Sequence, residues 1–188
     1  MLGICATATL ASWSDSEFAN GSFTASVFGT ESSVNNGTSY AANGTSPGAT
    51  VSFSAGAMAP GDKGYFNVLV RTTANSVAGT ATLGGAVLTG AGAATLGAAL
   101  TYRVVRTTGT CNAAAFTGSP TFVVGAAATF RALTAGQEVG VTNTLAAATA
   151  SPGAATGFCY EITLPAGAAN SLQGKTTTAT WPIVTAST

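Results

Sequence analysis

With 188 residues the chain has the length of one domain and enough of it to bury a core. Six Lys+Arg balance six Asp+Glu and only 6% of residues are charged, so there is no field to draw nucleic acid or an anionic membrane. Histidine is absent, which excludes Ser-His-Asp, Cys-His and HExxH chemistry and removes the commonest zinc ligand. The few carboxylates are scattered, so paired-acid catalysis has little to work with, and neither an enzyme nor a cofactor or metal site is expected. A surface so poor in charge resists self-association weakly.

The chain opens on a short apolar lead, MLGICATATLA, too short to span a bilayer and suited to the end of a signal-peptide core. The basic start of such a peptide is missing, so residues 1–11 are expected to be its remnant, with a small-residue cleavage site at Thr9-Leu10-Ala11. Residues 12–20 follow as an arm carrying Trp13, Asp15, Glu17 and Phe18. Asn20-Gly21 breaks the arm from the domain and is its expected hinge.

From there the signal is period two, with helical periodicity nearly absent. Phe23, Ala25 and Val27 alternate with Ser22, Thr24 and Ser26, and Val51, Phe53 and Ala55 alternate with Thr50, Ser52 and Ser54. Phe66, Val68 and Val70 oppose Tyr65, Asn67 and Arg71; Val77, Ala81 and Leu83 oppose Ala78, Thr80 and Thr82. Leu100, Tyr102 and Val104 share a face against Thr101 and Arg103. Phe158, Tyr160, Ile162 and Leu164 form the cleanest face. Ala179, Trp181 and Ile183 close the series, and Pro182, which cannot donate a ladder hydrogen bond, makes this last strand an edge or ends it. Turn clusters punctuate these strands, among them Asn35-Asn36-Gly37, Asn43-Gly44, Ser46-Pro47-Gly48 and Ala59-Pro60-Gly61-Asp62. The Ala-rich Asn112–Phe116 and Leu145–Ala150 read as single helical turns or loops. Residues 21–188 are therefore expected to form one all-β domain, an antiparallel sandwich of jelly-roll type behind an N-terminal arm.

Of three cysteines, Cys5 lies in the lead. Cys111 and Cys159 remain as an even pair, which favours a disulfide in an exported chain; two buried free thiols are the alternative.

Three local patterns, in order, resemble the TasA/camelysin family of secreted bacterial proteins exported with SipW-type signal peptides. They are Ala11-Ser12-Trp13-Ser14-Asp15 ahead of Phe23; Met58-Ala59-Pro60-Gly61-Asp62 followed by Asn75-Ser76-Val77-Ala78-Gly79; and Leu164-Pro165 with Asn170-Ser171-Leu172-Gln173-Gly174. The Ala/Thr/Gly-rich style and the Cys111 and Cys159 pair look like the actinobacterial branch of that group. On the residues alone, Pro60 and Gly61 set a turn, Asp62 caps it, and Asn170, Gln173 and Gly174 shape the loop before the last strand. Trp181 reads as a core aromatic.

The resemblance implies a fibre subunit, because family members include proteins whose N-terminal strand completes the next subunit's sandwich. Trp13 and Phe18 must fold back on their own domain or find a neighbour. Donation head-to-tail does not close on itself and propagates as a filament. The expected partner is another copy of the chain, alongside other matrix or cell-wall components, with no nucleic acid and no membrane in the mature form. The expected place is outside the cell or on its surface. The family also includes camelysins described as surface metalloproteases, an activity for which this chain lacks the ligands. The competing expectation is a monomeric, secreted adhesion or binding module, for which Tyr40 and Phe116 are the candidate loop aromatics. A Thr-rich face at Lys175–Thr180 is similar to ice-binding surfaces but equally ordinary for a solvent-facing strand. The sequons at Asn20, Asn36 and Asn43 matter only in a host that glycosylates.

Overall fold

Alternation of apolar and polar side chains places one set of residues on each face of a pleated strand, and this pattern organises the fold. The computed structural model describes residues 20, 22, 24–44 and 58–188. In chain order the strands are β1 (Thr30–Ser33), β2 (Lys63–Thr72), β3 (Gly79–Leu83), β4 (Val87–Thr89), β5 (Thr101–Arg106) and β6 (Thr121–Val124). They continue with β7 (Arg131–Ala132), β8 (Asn143–Leu145), β9 (Thr156–Thr163), β10 (Thr178–Thr180) and β11 (Ile183–Ser187). Every pairing between them is antiparallel. Helical structure among the described residues is limited to single turns, at Ala93–Gly97, Ala113–Phe116 and Asn170–Leu172. The middle one is capped by the Asn112 side chain, which accepts from the Ala114 N–H at 2.9 Å.

Two layers result. The larger sheet runs β1-β2-β9-β5-β6, with β7 also on β5. Facing it are the three-stranded sheet β11-β3-β8 and the two-stranded ribbon β10-β4. The shared core takes Phe66, Val70, Tyr102, Val104, Phe158, Tyr160 and Ile162 from the large sheet, and Ala81, Leu83 and Leu145 from the other layer. Trp181 packs into it, its ring 5.4 Å from Tyr160, 5.6 Å from Phe66 and 5.7 Å from Tyr102. Burial pushes the Tyr102 hydroxyl up to about 12 and raises Tyr160 further above the ordinary tyrosine value. The alternating faces read in β2, β3, β5 and β9 are therefore core faces. Pro182 does end its strand: the chain passes from the β4 side to the β3 side there, and the Gly84 N–H finds the Pro182 carbonyl at 2.8 Å.

Sequence and structure differ in two places. No strand lies at Ser22–Val27 among the described residues. Ala25 and Val27 are exposed together with Thr24 and Ser26, so neither set faces a core, and only Val27 makes a bridge, to Ser76. The first strand among the described residues is the polar Thr30–Ser33, held because it finds β2 rather than because it alternates. The second is on the far face of the large sheet, to which alternation assigns Tyr65, Asn67, Arg71, Thr101 and Arg103 opposite the apolar side: its centre is buried as well. Glu161 is fully buried and Arg103 is 8% exposed. Register places Tyr65, Glu161 and Arg103 side by side across β2, β9 and β5. Arg103 Nε and Nη2 meet Glu161 Oε2 at 2.8 and 2.7 Å, Lys63 Nζ lies 2.6 Å from Oε1, and Arg103 Nη1 donates to the Ala127 carbonyl. Phe116 and Phe130 stack on the guanidinium at 4.8 and 4.7 Å.

The loop that brings Phe116 there is tied down by the Cys111–Cys159 disulfide, with Cα atoms 5.3 Å apart. Beneath it Val105, Phe116 and Cys159 form a second small core. Closing a loop of 48 residues contributes about 4 kcal/mol on the chain-entropy model.

The expected strand at Val51, Phe53 and Ala55 lies outside the described residues.

Candidate functional site

The sequence directs attention to an arm, its hinge and three turn motifs. Trp13, Asp15, Glu17, Phe18 and Gly21 lie outside the described residues; Asn20 is exposed. The turns are built from the bonds their residue types favour. Gly61, at φ +95°, follows Pro60 in a turn closed by the Asp62 N–H to the Ala59 carbonyl at 3.0 Å. The Asp62 carboxylate accepts from the Ala59 N–H at 2.7 Å. Gly61 N–H donates to the Leu164 carbonyl at 2.7 Å, so the Pro60-Gly61-Asp62 and Leu164-Pro165 motifs, a hundred residues apart in sequence, form one corner. Gln173 and Gly174 (φ +69°) make a second turn of the same kind, in which the Lys175 N–H reaches the Leu172 carbonyl at 3.1 Å. Asn170 starts the helical turn before it, and its carbonyl accepts from the Gln173 N–H at 3.2 Å. These residues shape the scaffold.

The Asn75-Ser76 motif holds the start of the domain. Buried Ser76 Oγ lies 3.1 Å from Gly29 N, 3.3 Å from Gly29 O and 3.0 Å from Thr73 Oγ1. Val77 N–H donates to the Val27 carbonyl at 2.9 Å. Phe28 packs over Gly79, where a Cβ would stand 2.5 Å from its ring. Thr30 Oγ1 meets Thr185 Oγ1 at 3.1 Å. The N-terminal chain thus enters at the seam between the layers, where β1 is the last strand of one sheet and β11 the last strand of the other.

Strand edges decide what such a seam can do, since an unpaired edge offers a row of backbone donors and acceptors. At β1, Ser32 is covered by Ala41 through bonds of 2.9 and 3.0 Å, with the Asn43 amide 2.9 Å from Ser32 Oγ. At β6, the Glu138 N–H donates to the Val123 carbonyl at 2.9 Å, and its carboxylate accepts from the Gly125 N–H at 3.0 Å. Arg131, bonded at 2.7 and 2.9 Å, holds that carboxyl below its ordinary value. At β8, three carbonyls accept from side chains of the large sheet: Thr142 from Arg106 at 3.0 Å, Thr144 from Thr156 at 2.7 Å and Ala146 from Thr72 at 2.7 Å.

β11 differs. Gly84 N–H to Pro182 O and Thr188 N–H to Ala78 O fix which residues bond to β3, at 2.8 and 3.2 Å. By the antiparallel alternation Val184 and Ala186 belong to that set, and the backbone groups of Ile183, Thr185 and Ser187 point away. Among the described residues none pairs with them. The strand carries no charge and no internal proline, and Val184 is 63% exposed.

Neither candidate loop aromatic is a free platform. Phe116 is buried under Arg103, and the Arg71 guanidinium lies 3.6 Å from the centre of the Tyr40 ring. Among the described residues no three His, Cys, Asp or Glu side chains gather to hold a metal ion, and no helix is long and apolar enough to cross a membrane. Comparison with protein-family models, with curated proteins and with solved structures finds no match.

Edge status was not legible in the sequence. Only Pro182, which ends β10 and leaves β11 beside it, marked this region.

Proposed function

We propose that this protein is a structural subunit of an extracellular or cell-surface filament, a jelly-roll-type sandwich that polymerises head-to-tail by donating its N-terminal strand to its neighbour. One observation carries the reading: the chain enters the domain at the seam between the layers, with exposed residues Thr24–Ser26 leading away from a bonded root at Val27–Thr30. A base fixed here would stay in place while a donated arm pairs with a second molecule. The low charge, the absence of histidine and the Cys111–Cys159 bond, which belongs to an oxidising compartment, support a secreted structural role. A role in a biofilm matrix fits the same features.

Deletion of Ser12–Asn20 tests this. The deleted protein is expected to sediment as a monomer at concentrations where the intact protein forms large assemblies, with the same thermal midpoint within a few degrees. Assembly undiminished by the deletion would contradict strand donation. An intact protein that stays monomeric would favour a secreted binding module.

A further inference from the structure

We propose that β11 is the acceptor edge, and that the occupant is the arm, residues 12–20, of another copy of the chain. This rests on the strand-donation reading above and names its receiving surface. The choice follows from elimination among the described edges. The β8 edge has its carbonyls taken by Arg106, Thr156 and Thr72. The β6 edge is covered through Glu138, and the β1 edge at Ser32 by Ala41. β10 continues the line of β11 beyond Pro182, but it and its partner β4 have three residues each, and β7 has two. β11 presents five residues, with outward backbone groups on Ile183, Thr185 and Ser187. A donated strand would satisfy these groups without burying a charge from the acceptor.

The direction of the chain argues for a neighbour's arm over the molecule's own. Traced towards the N-terminus, Thr30 lies against Thr185, and Phe28 lies against Gly79, the partner of Ser187. Val27 then bonds to Val77, just past the pairing of Thr188 with Ala78. The root therefore leaves by the C-terminal end of β11, heading away from it. For its own arm to pair with β11 the chain would have to double back, whereas an arm arriving from another molecule needs no reversal.

The alternation also supplies the test. Thr185→Pro removes an N–H that points outward, together with the hydroxyl that meets Thr30, and leaves the bonds to β3 in place. Thr185→Val removes that hydroxyl alone and is expected to keep normal filament yield, whereas Val184→Pro removes an N–H that bonds to β3. In the full-length chain, Thr185→Pro is expected to reduce filament yield at least tenfold while its thermal midpoint stays close to that of the unsubstituted protein. A second measurement needs no proline. Two full-length Cys5→Ser chains, one with Ser16→Cys and one with Thr185→Cys, are mixed, oxidised and digested for mass spectrometry. An interchain link between positions 16 and 185 in filaments supports the proposal. Filaments that form without that link, or that form normally with Thr185→Pro, would overturn the β11 assignment and leave strand donation standing. A link found only within one chain, when both cysteines are placed together, would show the arm folded back and overturn it as well. No filaments from any full-length chain would overturn strand donation itself and this assignment with it.

Discussion

The two layers of this molecule secure themselves by opposite means. The large sheet is covered on both faces. Its inner face joins the shared core, and its outer face carries the fully buried Glu161 between Lys63 and Arg103, under Phe116, Phe130 and the disulfide-bound loop. The opposite layer has no charged residue in β3, β4, β8, β10 or β11, and its outer face is left to threonine, alanine and valine. One layer is locked by buried ion pairs; the other depends on how its edges are dressed, and among the described residues β8 is dressed and β11 is not. Under the strand-donation proposal, stability and assembly would belong to different parts of one small domain.

Glu161→Ala breaks this division most severely. It would leave Arg103, almost wholly out of solvent, without its carboxylate, and removing one partner of a buried pair costs about 3–5 kcal/mol. Chemical denaturation should show a loss in that range, with any filaments weakened only through the loss of folded protein. A change below about 1 kcal/mol would mean that Arg103 finds solvent or another partner, and the contrast between the layers would fail.

Thr72→Val with Thr156→Val sharpens the contrast from the other side. Each substitution deletes one hydroxyl donor from the β8 edge, at about 1 kcal/mol apiece. The double variant is expected to gain association through β8 that persists when Ser12–Asn20 is removed, as light scattering would detect. No new association would mean that the threonine caps do not protect the edge.

A smaller effect concerns the core that both layers share. The Tyr102 and Tyr160 hydroxyls lose protons in the native state only well above the ordinary tyrosine value, because burial disfavours the phenolate. Their folded values lie above the unfolded one, so their contribution is complete below pH of about 10 and falls as pH rises towards 12. Urea midpoints measured from pH 8 to 12 should be level at first and then decline; a level profile throughout would place these hydroxyls in contact with water.

Alternation made the core strands legible. Phe158, Tyr160 and Ile162 point inward because a two-residue period admits no other arrangement once one face is buried. Turn chemistry was legible for a similar reason, since Pro60-Gly61 and Gln173-Gly174 favour one backbone geometry. β1 and β8 were not, because Thr30–Ser33 and Asn143–Leu145 are too short or too polar to show a period and exist through their partners. Ser22–Val27 shows the converse: a faultless alternation whose described residues are all exposed, with Val27 alone bonded to the domain. Glu161 and Arg103 were hidden too, because their meeting depends on the register of strands 58 residues apart. Whether an edge is open is likewise a property of what lies beside it, and no strand's own residues record that.

Negative-stain electron microscopy of the secreted protein with its natural N-terminus tests the central claim most directly. Strand donation predicts thin, unbranched filaments with a repeat near one domain length, which disappear when Ser12–Asn20 is deleted. Uniform single particles from the intact protein, even when concentrated, would contradict it.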